Sequence, residues 1–227
     1  MSTENVVAFV PARAGSEGLA RKNTKMLLGR PLYRHSVDKA IEAGITRVFI
    51  STDMDEILNA ELPAGVQAVE RPASLATSDV PMDQVFSHFL TEQLKDDATI
   101  VLLQPTSPMR PVSAITQALD LYRSGSYTMI MSVCETSSSV LKYGTRDGDR
   151  FVSISDPGYC FANRQSLPKV FRPNGSIYVF GAEDFRKCNG FPDSKIGVVE
   201  MSPETSIDID NLSDFEDCEK AMQDGVK

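Results

Sequence analysis

Two groups of residues in this sequence carry side chains suited to chemistry on an anion. The first is Arg13-Ala14-Gly15-Ser16-Glu17-Gly18-Leu19-Ala20-Arg21-Lys22-Asn23, which follows the apolar run Val6–Val10. Gly15 and Gly18 let backbone N–H groups come close to an oxygen-rich ligand, and Arg13, Arg21 and Lys22 add fixed positive charge. A solvated surface loop also carries glycine and lysine, but three cations beside two glycines straight after a buried strand favour a phosphate site. The second group is Ser206-Ile207-Asp208-Ile209-Asp210. If extended, it turns Asp208 and Asp210 to one face while Ile207 and Ile209 pack inward. Two carboxylates held together repel unless a cation lies between them, and hard oxygen ligands suit Mg²⁺ bound together with substrate phosphates. An aspartate pair that merely flanks a helix start gives the same pattern.

The glycine loop follows neither common phosphate motif. Its glycines are three apart and Lys22 lies four residues past Gly18, which is not the P-loop order, and it lacks G-x-G-x-x-G. The net charge of −8 over 227 residues and the lack of a long basic run exclude nonspecific nucleic-acid binding. An anionic substrate must then be attracted locally. Residues 1–30 reverse the sign, with Arg13, Arg21, Lys22, Lys25 and Arg30 against Glu4 and Glu17. Cys134, Cys160, Cys188 and Cys218 are far apart without a C-x-x-C, which argues against a zinc site and a disulfide framework. The sequence shows no signal peptide and no apolar run of membrane-spanning length, so the expectation is no membrane partner and a cytoplasmic compartment.

The elements that must position these groups alternate. Val6–Val10 reads as a strand buried on both faces, the centre of a parallel sheet. Pro31–Ala43 has helical spacing, with Gly44 at its end. Arg47–Ser51 is a second buried strand, followed by a short helix around Asp55–Glu61 and a short strand around Val66–Val69. Pro81 opens a helix that buries Val85, Phe86, Phe89, Leu90 and Leu94, and His88 on it is a surface or packing residue. Thr99–Leu103 is a strand, the next helix runs from Ser113 to Arg123 with Ile115, Leu119 and Tyr122 inward, and Tyr127–Val133 is another strand. This order predicts an α/β fold, a doubly wound and mostly parallel sheet. Ligands of such sheets sit beyond the carboxyl ends of the strands, where Arg13, Asp53 and Gln104 all fall.

The pattern breaks over 142–172. Asp147-Gly148 between Tyr143 and Phe151-Val152 signals a hairpin, followed by an aromatic, polar stretch. We read residues 1–227 as a single domain with 142–172 as an inserted dimerisation hairpin, because its aromatics exposed on a monomer would form an apolar patch. Ser176–Phe180 and Gly197–Met201 return to the sheet. A final helix is predicted with Ser213 as its cap and Glu216 completing a capping box.

The ordered motifs resemble those of the acylneuraminate cytidylyltransferases, which activate sialic and other nonulosonic acids as CMP-sugars. They are Pro11-Ala12-Arg13-Ala14-Gly15-Ser16, Lys22-Asn23, Ser51-Thr52-Asp53, Arg71-Pro72-Ala73, Leu103-Gln104-Pro105-Thr106-Ser107-Pro108, Arg172-Pro173-Asn174-Gly175 and Ser206–Asp210, spread from residue 6 to about 222. The resemblance implies a Rossmann-like nucleotidyltransferase fold of the nucleotide-diphospho-sugar transferase type. It implies that CMP passes from CTP to the 2-hydroxyl of the acid with release of pyrophosphate. By it, Ala12, Arg13, Gly15, Ser16, Lys22, Asn23 and Arg71 would bind CTP. Gln104, Asn174, Tyr178 and Phe191 would line the sugar site, with Phe191 near an acyl substituent. Lys142 and Arg164 would reach the sugar carboxylate across the interface of a homodimer with shared active sites. Arg13, Lys22, Asp208 and Asp210 would be the catalytic set, the two aspartates holding Mg²⁺. Glu17 stands where the family usually has Lys or Arg, and Val80-Pro81-Met82-Asp83 where it often has serines near the cytosine. The alternatives are a 3-deoxy-manno-octulosonate cytidylyltransferase, which the Leu103–Pro108 and Arg172–Gly175 motifs disfavour, and a catalytically weakened nucleotide-binding homologue, which has little reason to keep both Asp208 and Asp210. The particular acid is not legible in the residues.

Overall fold

Val6–Pro11 forms β1, and Val7, Ala8, Phe9 and Val10 on it are wholly shielded from solvent. The computed structural model describes residues 5–15 and 18–225. From β1 the chain runs through β2 (Met26–Leu27), β3 (Arg30–Pro31), α1 (Leu32–Glu42), β4 (Arg47–Thr52), α2 (Asp55–Leu58), β5 (Val66–Glu70), α3 (Met82–Gln93), β6 (Thr99–Leu103), α4 (Val112–Arg123) and β7 (Met129–Thr136). It continues through β8 (Gly144–Asp147), β9 (Arg150–Ser153), β10 (Val170–Gly181), α5 (Ala182–Cys188), β11 (Ile196–Glu200) and α6 (Leu212–Gln223).

Among the described residues the main sheet has seven strands in the order β11-β7-β10-β6-β1-β4-β5. β1 pairs in parallel with β4 and β6, β4 with β5, and β7 with β11. Only β10 runs against its neighbours β6 and β7. The sheet is therefore mostly parallel, as the alternation of elements predicts, with the returning segment inserted in reverse.

Alternation along β1 sorts the core onto two faces. Ala8 and Val10 join Val48, Ile50, Val101 and Leu103 under α1 and α4. Val7 and Phe9 join Ile100 and Leu102 under α3 and α5 in a phenylalanine cluster. There Phe86 meets Phe9 edge-on with ring centroids 5.2 Å apart, and meets Phe185 at 4.8 Å. All five residues assigned to the inner face of α3 are buried. Helices on both faces hold the sheet rigid, so loops at its carboxyl edge are anchored at their bases.

Several boundaries differ from the sequence reading: the strand expected over Ser176–Phe180 runs from Val170 to Gly181, and the one expected over Tyr127–Val133 runs from Met129 to Thr136. The helix expected over Asp55–Glu61 ends at Leu58. The last helix is capped by Asn211 rather than Ser213, and its capping box closes with Asp214 rather than Glu216. Asn211 Oδ1 accepts from the Asp214 N–H at 3.0 Å, while Asp214 Oδ2 accepts from the N–H groups of Asn211 at 3.0 Å and Asp210 at 2.9 Å. Asn is as good a cap as Ser, and here the earlier start also ties down the backbone of Asp210. The hairpin expected at Asp147-Gly148 is present as β8 and β9 in a sheet of their own, with Gly148 at φ 57°. Tyr143, Phe151, Ile154 and Phe161 on this excursion are exposed, Phe161 at 92%.

Candidate active site

The site is assembled from the carboxyl ends of β1, β4, β5 and β6. Ala12 N–H extends the parallel pairing by donating to Ser51 O at 2.9 Å, and the next turn is fixed by Ala14 N–H donating to Asp53 Oδ1 at 2.8 Å. Asp53 thus shapes the glycine loop from the end of β4. Asn23 Nδ2 donates to Arg13 O at 2.8 Å, and Arg13 Nη1 donates to Ala76 O at 3.3 Å. Just past β5, Arg71 is buried and donates from Nε to Ser51 Oγ at 3.1 Å and from Nη2 to Ser51 O at 3.0 Å. Burial pushes its guanidinium down to about 10, against the pull of Asp53, with Arg13 adding repulsion.

The two chemistry-bearing segments meet although they lie far apart in the chain. Lys22, buried at the start of a short 3-10 turn, donates from Nζ to Ile209 O at 2.5 Å and pairs with Asp210 Oδ1 at 3.2 Å. Ile209 N–H donates to Thr106 O at 2.8 Å, so the acidic segment is hung between the glycine loop and the loop after β6. Ile209 is buried while Asp208 and Asp210 stay open, the division that the extended reading predicts. The protein around the Asp208 carboxyl raises its pKa, and Asp210 raises it further. A hydrogen bond with Thr106 and the charges of Lys22 and Arg172 oppose that rise. Arg21 departs from the site: it is an αL residue at φ 52° whose guanidinium pairs with Glu56.

Around these groups lies a cavity of about 560 Å³ walled by Arg13, Gly18, Lys22, Asn23, Arg71, Gln104, Asp208 and Asp210, with Ser78, Asp79 and Met82 at the 79–83 loop. A second cavity of about 360 Å³ adjoins it through Met82 and Gln104, and is walled by Leu102, Met129, Met131, Tyr178, Phe191 and Ile196. The first is lined by charge and the second by apolar surface. Burial raises the pKa of Tyr178, and the charge of Asp208 adds to that, so the phenol stays protonated beside the acidic segment.

Of the residues singled out in the sequence, Arg13, Lys22, Asn23, Arg71, Asp208 and Asp210 line the larger cavity, Tyr178 and Phe191 the smaller, and Gln104 both. Ala12 and Gly15 shape the loop, Ala12 as a buried strand-end residue. Ser16 and Glu17 fall outside the described residues. Asn174 lies behind the site. Its Oδ1 accepts from Ser132 Oγ at 2.5 Å and its Nδ2 donates to Ser206 Oγ at 2.9 Å, which anchors the acidic segment from below. Lys142 and Arg164 line neither cavity of their own chain. Lys142 Nζ donates to Ala162 O at 2.5 Å, and Arg164 is exposed in a 3-10 turn on the excursion. Among the described residues no group of three or more His, Cys, Asp or Glu is gathered to hold a metal ion.

The sequence reading missed Arg110. It is fully buried and donates to Ser36 Oγ, Ser176 Oγ and Gln104 O. Its signal was an arginine held between Met109 and Pro111 directly after the Leu103–Pro108 motif.

A profile described as cytidylyltransferase matches residues 7–150. A Streptococcus agalactiae protein named N-acylneuraminate cytidylyltransferase is 30% identical over 220 residues, 92% of this chain and 51% of that protein. One of the same name from Escherichia coli is 30% identical over 213 residues, 93% of this chain and 50% of that protein. The chain thus spans about half the length of these two relatives. It spans nearly all of a Legionella pneumophila CMP-N,N'-diacetyllegionaminic acid synthase, 30% identical over 96% of both chains. In fold it is similar to a CMP:2-keto-3-deoxy-manno-octonic acid synthetase solved with CTP, at TM-score 0.73 and 18% identity over 98% of this chain and 100% of that one.

Proposed function

Because this chain belongs to the cytidylyltransferase family, we propose that it transfers CMP from CTP to the 2-hydroxyl of a sialic acid or related nonulosonic acid, with release of pyrophosphate. The observation that carries the reading is the joined pair of cavities: a charged one faced by Arg13, Lys22, Arg71 and two aspartates, and an apolar one reached past Gln104. A nucleoside triphosphate suits the first. A sugar acid with acyl substituents suits the second, where Tyr178 and Phe191 offer aromatic surface.

The incoming hydroxyl attacks the α-phosphorus in line with the departing pyrophosphate, so negative charge gathers on oxygens while little else changes. Arg13 and Lys22 stand where that charge gathers. Each is fixed by the backbone of another segment, which removes the cost of reorganising it during the reaction. Arg71, held at Ser51, contributes a cation that stays charged at neutral pH. Gln104 stands between the two cavities and orients the acid toward the nucleotide. Asp208 and Asp210 would hold Mg²⁺, which supplies positive charge against the phosphate oxygens. Two open carboxylates with a hydroxyl at Thr106 fit a cation that keeps several waters.

The reading extends to assembly and place. The exposed aromatics of 142–172 would be covered in a homodimer, with Lys142 and Arg164 completing the partner's sugar site, and the enzyme would act in the cytoplasm. The test is pyrophosphate release with CTP and Mg²⁺ across a panel of nonulosonic acids and 3-deoxy-manno-octulosonate. Turnover of nonulosonic acids is the expected result. Turnover of the octulosonate alone would overturn the choice of substrate, and no turnover of any acid would overturn the activity.

A further inference from the structure

We propose that Arg110 is a positioning residue for nucleotidyl transfer, a buried fork that fixes the Gln104–Thr106 wall and, through it, the aspartate segment. Among the described residues Arg110 is the bulkiest side chain wholly shielded from solvent. A buried guanidinium is costly, and a core that needed only volume there would hold an apolar side chain. What the fork provides is direction. Nε donates to Ser176 Oγ at 3.0 Å, Nη1 donates to Ser36 Oγ at 2.7 Å, and Nη2 donates to the carbonyl of Gln104. Ser36 Oγ in turn donates to the same carbonyl at 3.2 Å. One rigid planar group therefore ties α1, β10 and the end of β6 together behind the site.

The effect reaches the reacting groups by backbone contacts. Gln104 faces both cavities. Two residues on, Thr106 O accepts from Ile209 N–H at 2.8 Å, and Ile209 O accepts from Lys22 Nζ. Fixing the carbonyl of Gln104 thus fixes the strut from which Asp208, Asp210 and Lys22 take their places. The charge adds a second link. Burial lowers the pKa of Arg110 to about 9 against the upward pull of the Asp208 carboxylate, so the group remains a cation at neutral pH. Arg110 lines neither cavity, which separates it from the groups that touch substrate.

The kinetic arm of the test rests on the cytidylyltransferase reading; the exchange arm does not. Arg110→Gln and Arg110→Lys are compared with the unaltered chain by circular dichroism, CTP binding, pyrophosphate release and native-state hydrogen exchange. Loosening the wall by roughly 1 Å should lower kcat about a hundredfold, the scale of such a misplacement. CTP affinity should stay within about threefold, since Arg13 and Arg71 keep their own anchors, and such a split marks loss of transition-state alignment. Arg110→Lys keeps the charge but not the three-way fork, so its kcat should also fall; being nearest in volume, it carries the test if Arg110→Gln does not fold. In either variant the Ile209 amide should lose protection while amides of β1 keep theirs. Unchanged protection at Ile209, or an equal loss throughout the sheet, would overturn the proposal whether or not any acid is turned over. A kcat within twofold of the unaltered chain would overturn it as well.

Discussion

Gly18 is where the two halves of the site touch, and Gly18→Ala tests how tightly that contact sets the chemistry. A Cβ added there would lie 2.2 Å from the carbonyl oxygen of Asp210 and 3.2 Å from its carbonyl carbon. Ordinary contact begins at 3.4 Å, so the two backbones must part by about 1 Å. No flexible side-chain end can yield instead, because the opposing atoms are backbone held on both sides. Ile209 is pinned by Thr106 and Lys22, and the Asp210 N–H is taken by Asp214. A shift of that size at a carboxylate and at the Lys22 ammonium should cost about a hundredfold in kcat. Parting backbones held on both sides also costs some stability, so the unfolding temperature should fall by a few degrees while the chain stays folded at the assay temperature. The assay is pyrophosphate release at saturating CTP and acid, with thermal unfolding of the same preparations. Retention of kcat within twofold would refute the view that the loops are braced against each other. A loss of stability matching the loss of activity would assign the effect to folding.

Three further outcomes follow from the same geometry. Asp208→Asn should lower turnover at least about a hundredfold, as loss of a transition-state charge partner does, with the fold intact because this carboxylate is open; full activity in a chelator would remove the metal from the scheme. His35 is half-buried on α1 and its pKa is lowered, chiefly by burial, while a hydrogen bond with Leu27 O opposes the shift. The folded state then binds this proton less readily than the unfolded chain, so its contribution to stability is present above about pH 6.5 and declines as pH falls below it. Thermal unfolding across pH 5–8 should show that decline, and His35→Gln should flatten it; an identical pH profile in the variant would refute the assignment. If the proposed homodimer shares its sites, Arg164→Ala and Asp208→Asn should each lose activity alone and recover part of it when refolded together, because a mixed dimer then holds one complete site; no recovery in confirmed mixed dimers would place Arg164 in the same site as its own Asp208.

How far the site could be read from the sequence follows the range of the forces involved. The run Val6–Val10 declares a strand covered on both faces because each residue must find an apolar neighbour whichever way it points. Pro31 and Pro81 mark helix starts through a local restriction of φ, and both helices begin one residue later. Arg13, Asp53 and Gln104 could be placed at one edge because parallel strands all end there. The direction of β10 had no such local cause. Its twelve residues read equally well either way, and its reversed pairing with β6 and β7 is decided by the excursion that delivers it. The cap of α6 was misread for a related reason: Asn211 and Ser213 are both good caps, and the tie is broken by Asp214 accepting from the Asp210 N–H as well.

Asn174 and Arg110 show what a motif can hide. Both sit beside residues with obvious chemistry, yet both are shut away from the cavities and act through hydroxyls and carbonyls: Asn174 on Ser132 and Ser206, Arg110 on Ser36, Ser176 and Gln104. A polar side chain in a motif can therefore serve the ligand or serve the backbone that serves the ligand, and residue type does not distinguish the two. Burial does. A buried polar group must be satisfied by the protein, so its partners are chosen by the fold and its substitution is felt wherever those partners lead. Here they lead to Ser206 and Gln104, on either side of Asp208, from which it follows that the geometry of the aspartate pair is set from behind the site as much as from within it.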